Sequence, residues 1–190
     1  MSKTIAAIAP PAAPAGLGVV RVSGTEALTV AGRIFRPAAK NKELESIPGY
    51  TALYGHVYDE EGDIDDCVAL VFRAPHSYTG ENVVELSCHG GLYLLRRAVI
   101  AAGAAPAAAG EFTRRAFVNG KMDLTGAEAV MELIAAQGDL AARTALAARE
   151  GLLYRRLEGV KDRLLGLAAG YAAYVDYPDE DIPELEPEAM

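Results

Sequence analysis

The sequence contains few cysteines and no long apolar run, and each absence narrows the class of protein. Its two cysteines, Cys67 and Cys88, lie far apart and outside any CxxC spacing, so we expect them to be reduced thiols of a cytoplasmic protein. No apolar segment approaches the roughly 20 residues of a membrane span. Prolines interrupt the apolar start of the chain, which is atypical of a signal peptide. We therefore expect a cytoplasmic protein with no membrane contact.

The sequence also lacks a surplus of basic residues and a phosphate-binding loop. Its net charge of -8 argues against binding nucleic acid by bulk electrostatics alone. A Walker motif needs Gly-x-x-x-x-Gly-Lys-Ser/Thr, but Met122 follows Gly120 and Lys121, and Arg115 stands at the first glycine position. We therefore predict that this chain alone does not hydrolyse a nucleoside triphosphate.

Metal-ligand patterns are equally sparse. The three histidines form no pair at i, i+4 spacing on a helix. The acidic segment 59–66 does not have the ligand spacing of an EF-hand, and we interpret it as a solvated hairpin turn. We predict neither a metal site nor a catalytic residue in this chain.

What the sequence does contain is a globular composition, 51% hydrophobic and 23% charged, with a β-rich first part. Apolar and polar residues alternate on both sides of a glycine-containing turn, which predicts a hairpin formed by residues 51–59 and 66–74. The other predicted strands are 4–9, 18–24 and 82–88, and the predicted helices are 25–35, 91–103 and 110–120. Together these elements predict an α+β domain.

After about residue 120 the pattern is helical. Residues 124–136 have helical apolar spacing, with Asp123 as the predicted N-cap. From Leu146 to Tyr174 apolar residues recur every seven positions, which predicts one long helix of about 35 residues. This apolar seam needs a partner chain or a further part of the protein to cover it. The acidic, proline-rich segment 175–190 resembles a linker, and we expect the chain to be the N-terminal part of a longer protein.

The segment "SYTGENVVELSCHGG" (77–91) could hold a catalytic Cys–His pair, a metal ion or a strand carboxylate that contacts a ligand. Cys88 and His89 point to opposite faces of a strand, so they are poorly placed as a nucleophile and base, and we favour a buried thiol for Cys88. Glu85 lies in an apolar strand, where a carboxylate is costly unless it is paired. It is either a half-exposed strand residue or a carboxylate at the floor of a pocket, where it would suit a ligand with adjacent N–H groups.

Two basic groups near residue 120 are further candidates. Lys121 precedes a helix and can offer a cation to an anionic ligand, although a solvated lysine is an equal alternative. The helix 110–120 is predicted to place Phe112, Ala116 and Phe117 inward and to leave Arg114 and Arg115 solvated on its outer side.

Four segments together resemble the bacterial tRNA modification GTPase family called MnmE or TrmE. They are "GVVRVSG" (18–24), "SYTGENVVELSCHGG" (77–91), "GEFTRRAFVNGKMDLTGAEAVMELIAA" (110–136) and "VDYPDED" (175–181). They follow the order and spacing of the family and extend over nearly the whole chain.

The resemblance implies two domains. Residues 1–120 would be the N-terminal tetrahydrofolate-binding and dimerisation domain, similar in fold to aminomethyltransferases. Residues 121–190 would be the first part of an all-α helical domain, and the inserted GTPase domain, with its GTP, magnesium and potassium, would be absent from this chain. By position, Arg21, Glu85 and Lys121 would contact 5-formyl- or 5,10-methylene-tetrahydrofolate.

The same resemblance implies a function. The complete protein would act as a homodimer with a flavoprotein partner of the MnmG type and add an aminomethyl or carboxymethylaminomethyl group to a wobble uridine of tRNA. Two alternatives remain open from the sequence, a stand-alone folate-binding dimerisation module and a one-carbon aminomethyltransferase.

Overall fold

The computed structural model describes residues 3–9 and 15–176, whose contacts divide the chain into two compact units, 1–121 and 122–190. The first is a mixed α+β unit and the second is helical. Residues 177–190, most of the segment that we interpret as a linker, lie outside the described residues. None of the described helices is long and apolar enough to cross a membrane.

The first unit is built on a seven-stranded sheet in the order β3-β4-β5-β6-β2-β1-β7. Neighbouring strands are antiparallel, except that β1 and β7 are parallel. The strands are β1 Ile5–Ala9, β2 Ala15–Ser23, β3 Phe35–Pro37, β4 Thr51–Asp59, β5 Gly62–Phe72, β6 Val83–Gly90 and β7 Ala105–Pro106. The hairpin β4–β5 and strand β6 confirm the sequence prediction, although β5 begins four residues earlier than expected.

Three helices and one 3-10 turn accompany the sheet. They are α1 Ala27–Gly32, α2 Leu92–Ala102, α3 Glu111–Val118 and the turn Leu44–Ser46. The alternation of β2 and β6 sends Val20, Val22, Val84 and Leu86 into one core beneath α1 and α2. Helix α2 ends as predicted at Gly103, which adopts the left-handed conformation with φ 66°.

The helix predicted over 25–35 is much shorter in the structure. Residues before Ala27 do not join it, and its N-cap residue, Glu26, makes no side-chain capping hydrogen bond. The chain leaves the helix after Gly32 because Phe35 pairs with Val57 as part of β3. Tertiary pairing therefore overrides the local helical pattern.

The second unit contains α4 Leu124–Ala135, α5 Asp139–Arg149 and α6 Leu152–Asp176. Asp123 caps α4 as predicted, since its Oδ1 accepts a hydrogen bond from the Gly126 N–H at 2.6 Å. The single long helix predicted from Leu146 to Tyr174 is wrong. The backbone breaks at Gly151, whose φ of 69° ends α5 in a left-handed turn while the apolar spacing continues across the break.

Candidate functional site

A charged pair lies on the sheet face opposite the main core. Strands β2 and β6 pair in a register that sets Arg21 directly beside Glu85. Arg21 Nε donates to Glu85 Oε1 at 2.7 Å, and the two side chains are 33% and 22% exposed. The structure therefore brings two of the three predicted folate residues together, and Glu85 is both half-exposed and paired.

Two aromatic rings flank the guanidinium of this pair. The Arg21 Cζ atom lies 5.8 Å from the centre of the Tyr78 ring and 5.5 Å from the centre of the Phe112 ring. The Tyr78 hydroxyl and the Thr113 hydroxyl are 2.9 Å apart, which links the loop before β6 to α3. We name Arg21, Glu85, Tyr78 and Phe112 the charged–aromatic site.

A buried ionic cluster holds the loop and the helix that carry these rings. Arg115 Nη1 donates to both carboxylate oxygens of Glu81, at 3.0 and 3.1 Å, and Nη2 donates to Glu111 Oε1 and to the Lys3 carbonyl oxygen, each at 2.8 Å. The Ser23 hydroxyl donates to Glu81 Oε2 at 2.8 Å. The Ala108 N–H and the Arg115 guanidinium hold the pKa of Glu111 below its ordinary value. The cluster therefore connects the loop before β6, helix α3 and the segment just before β1.

Two predicted orientations in α3 are wrong. Phe117, predicted inward, is 40% exposed. The side chain of Arg115, predicted outward, is 8% exposed, whereas the neighbouring Arg114 is solvent-exposed as expected. The pattern of apolar residues in α3 concealed this difference. The spacing of Glu111 and Arg115, four residues apart on one helix, was the available signal for an ion pair.

Lys121 occupies a different position from the charged pair. Its Nζ donates to the Pro75 carbonyl oxygen at 3.1 Å, and its stem lies beside Gly80. No hydrogen bond or ion pair between described residues joins it to Arg21 or Glu85. Lys121 contacts the loop 73–82, which also carries Tyr78. A ligand in contact with Arg21, Glu85 and Lys121 would therefore have to extend along that loop.

The structure separates Cys88 from His89. The Cys88 thiol is buried as predicted, while the His89 ring is exposed and its Nδ1 lies 2.8 Å from Asp65 Oδ1. The hydrogen bond to the Asp65 carboxylate and the negative charge of Asp65 raise the pKa of His89. A Cys–His dyad is therefore not formed by these neighbours.

The acidic hairpin is more structured than the solvated turn that we predicted. Asp59 forms an ion pair with Arg97 of α2, and Asp63 forms one with Arg36 of β3. Several of its acidic side chains are therefore paired with basic neighbours on α2 and β3. Over residues 3–9 and 15–176, no cluster of three or more Cys, His, Asp or Glu side chains could hold a metal ion.

A cavity of about 870 Å³ lies away from the charged–aromatic site. It opens between α2 and the β4–β5 hairpin and is lined by Tyr58, Tyr93 and Arg97, among others. Arg97 is already neutralised by Asp59 and Glu61. The charged–aromatic site is therefore the better candidate for a ligand site, because partly exposed charged groups and aromatic rings face one another there.

The fold and the site define an α+β sheet unit with a charged, aromatic-lined surface, joined in sequence to a helical unit. The chain belongs to the family described as the GTP-binding protein TrmE N-terminus, whose model matches residues 4–121. Residues 124–190 match the model of the MnmE helical domain. These matches confirm the family resemblance found in the sequence.

Curated relatives named tRNA modification GTPase MnmE are similar over almost the whole chain. A protein of Thermus thermophilus is 49% identical over 97% of this chain and 43% of its own length. The proteins of Symbiobacterium thermophilum and Alkaliphilus metalliredigens are 47% and 42% identical, over 95% and 97% of this chain and 40% and 41% of their own lengths. The chain thus spans about two-fifths of the length of these relatives.

Proposed function

We propose that this chain is the folate-binding part of a tRNA modification GTPase and that the charged–aromatic site holds the ligand. The observation that carries the proposal is the half-exposed Arg21–Glu85 pair between two aromatic rings. The family match supports the assignment to tRNA modification. Residues 1–120 would bind folate and form a homodimer through a fold akin to aminomethyltransferases, and residues 121–190 would begin the helical domain.

The side chains present fit a reduced folate. Glu85 uses one carboxylate oxygen for Arg21, and its Oε2 has no hydrogen-bond partner among the described residues, so it can accept an N–H of the pterin ring. The Tyr78 and Phe112 rings offer faces for a flat heterocycle. The terminal nitrogens of Arg21 and the ammonium of Lys121 can donate to carbonyl or carboxylate oxygens of the ligand.

The residues of this chain then have a binding and orienting role. 5-Formyl- or 5,10-methylene-tetrahydrofolate, when bound, supplies a one-carbon unit. Glu85 and Arg21 would fix the orientation of the pterin, and the cluster centred on Arg115 would hold the loop and α3 against it. None of these residues is proposed to transfer a proton.

The complete protein would use further parts that we also propose. A GTPase domain would bind GTP with magnesium and potassium, and a flavoprotein of the MnmG type would act with it on tRNA in the cytoplasm. The product would be a wobble uridine carrying an aminomethyl or carboxymethylaminomethyl group at carbon 5.

Calorimetric titration with 5-formyl-tetrahydrofolate tests the binding proposal. We expect Glu85→Gln to weaken binding about ten- to a hundredfold, because a charge-assisted hydrogen bond contributes roughly 1.5–3 kcal/mol. Glu60→Gln is the matched control, since Glu60 is an exposed residue of the hairpin turn. This variant should bind 5-formyl-tetrahydrofolate as tightly as the unmodified chain does. Thermal unfolding would verify that each variant is folded. Failure of the folded, unmodified chain to bind at millimolar ligand would refute the proposal.

The incomplete Walker motif leads to a second prediction. Residues 1–190 should show no GTP turnover and no tight GTP binding, because no phosphate-cradling loop precedes Lys121. Phosphate release by a chromatographically homogeneous preparation is the measurement. Turnover that co-purifies with this chain through successive columns would contradict the prediction.

A further inference from the structure

The two cysteines that are distant in sequence meet in the sheet. Cys67 lies in β5 and Cys88 in β6, and each residue is 3% exposed. Val68 pairs with Ser87, so the antiparallel register places Cys67 opposite Cys88 one step further along. Both thiols point toward the helix-covered face and belong to the main core.

The environment of the two thiols reflects this placement. The neighbouring Cys88 thiol and burial raise the pKa of Cys67. The Cys88 Sγ lies 3.7 Å from the Leu86 carbonyl oxygen, which holds that side chain beside the strand. The sheet therefore sets the two cysteines side by side, and both are free thiols in the structure.

Directly opposed residues of an antiparallel pair have Cβ atoms about 4.5–5.5 Å apart, and a disulfide needs about 3.5–4.5 Å. A movement of about 1 Å between β5 and β6 would therefore suffice to join the sulfur atoms. A cavity of about 320 Å³ is lined by residues around the two cysteines, including Val68, Ser87 and His89, whose positions alternate to the sheet face opposite the thiols. A small reagent therefore reaches the buried thiols when β5 and β6 separate locally.

We propose that Cys67 and Cys88 are a redox modification site that closes to a cross-strand disulfide by exchange with a small disulfide of the glutathione type. One protein thiolate attacks a sulfur of the reagent and expels one thiolate, which leaves a mixed disulfide. The second protein thiol loses its proton, attacks the protein-bound sulfur and expels the other thiolate. The two protein thiols are oxidised, and the reagent takes up their two electrons and two protons to become two small thiols.

Equilibration of the 190-residue chain in glutathione buffers of increasing oxidised fraction tests this proposal. After acid quenching, denaturation and alkylation, intact mass would count the remaining thiols. We expect conversion to a monomeric chain that is lighter by two hydrogen atoms and accepts no alkyl group. Retention of both alkylatable thiols in the most oxidising buffer, while added dithiothreitol is fully oxidised, would overturn the proposal. Mixed disulfides on both cysteines, or bridges only between chains, would also overturn it.

Two variants and a urea series separate a preorganised pair from two independent thiols. Cys67→Ser and Cys88→Ser should each keep one thiol and should never lose two hydrogen atoms. In urea sufficient to unfold the chain, the midpoint of bridging should require at least about a tenfold more oxidising buffer, because the sheet no longer holds the thiols at high effective concentration. An unchanged midpoint in urea would show that the fold does not create the pair. Circular dichroism would verify that both variants and the oxidised chain are folded.

Discussion

The sheet unit and the helical unit bury different kinds of residue. The sheet unit encloses large branched side chains such as Val22, Val84 and Leu86 with no exposed surface. In the described part of the helical unit, the buried residues are alanines and glycines, while Met131, Ile134 and Leu164 are more than half exposed. The first unit therefore forms its own hydrophobic core, whereas the second unit exposes an apolar surface that would have to pack against another part of the protein or another chain.

Charged residues show the same contrast. The sheet unit surrounds Arg115 with two carboxylates and a carbonyl in a nearly buried cluster, while the described helical unit has a surface pair between Lys161 and Glu158 on α6. A buried ion is costly unless every partner is present, and an exposed pair contributes little. Removal of one partner of an ion pair should therefore lower the free energy of unfolding of the sheet unit far more than that of the helical unit.

Separation of the units is the strongest test of this comparison. We expect the full chain to be at least a homodimer, and residues 1–121 to unfold cooperatively and remain dimeric, since they contain the complete sheet and the proposed dimerisation domain. Residues 122–190 alone should lack a cooperative transition. Sedimentation velocity and thermal unfolding are the measurements. A monomeric 1–121 beside a dimeric 1–190 would place the interface on the helices instead.

Substitution of Arg115 should have the next largest effect. Arg115→Met leaves Glu81 and Glu111 without their buried cation and should lower the free energy of unfolding by about 3–5 kcal/mol. Arg114→Met, one residue away on the exposed side of α3, should change it by less than about 0.5 kcal/mol. Urea denaturation of both variants gives the comparison, and equal effects would mean that the cluster does not stabilise the fold.

Truncation of one leucine in each unit should sharpen the contrast further. Leu86→Ala removes a fully buried side chain from the sheet core and should cost about 2–5 kcal/mol. Leu164→Ala removes an exposed side chain from α6 and should cost less than about 0.5 kcal/mol in the isolated chain. Comparable losses in urea denaturation would indicate that the helical surface is already covered, for instance by a second copy of the chain.

Local sequence patterns predicted much of the sheet unit. Alternation identified the β4–β5 hairpin and β6, and Gly103 correctly marked the end of α2. The short strand β7 was missed, because two residues give no periodic signal and are held by pairing with β1. The same limit applies to β3, whose first residue, Phe35, ended the predicted helix 25–35 and which is a strand through pairing with β4.

The helical unit shows why periodicity alone overestimates continuity. The seven-residue spacing from Leu146 to Tyr174 continues across Gly151, although the backbone turns there. Glu150 interrupts the apolar series, and the following glycine is the usual C′ residue of a helix, so the break had a local signal. The spacing of apolar residues reports which face they share and does not by itself require one unbroken helix.

The candidate site was only partly visible from the sequence. Arg21 and Glu85 were chosen from the resemblance, but the register that joins them depends on strands separated by 64 positions. Tyr78 and Phe112 had no signal as neighbours of Arg21, because loop and helix meet only in the folded unit. Whether these groups bind folate stays a prediction that the titration of Glu85→Gln will decide.

The place of β1 within the sheet affects how a newly made chain can fold. Its Ile5 pairs with Ala105 of β7, and the Lys3 carbonyl accepts a hydrogen bond from Arg115, 112 positions later. Contacts between such distant segments form slowly, because the intervening chain loses entropy before the contact is made. During synthesis the sheet stays unfinished until β7 has left the ribosome, and until then the β7-facing edge of β1 is open to strands of other chains.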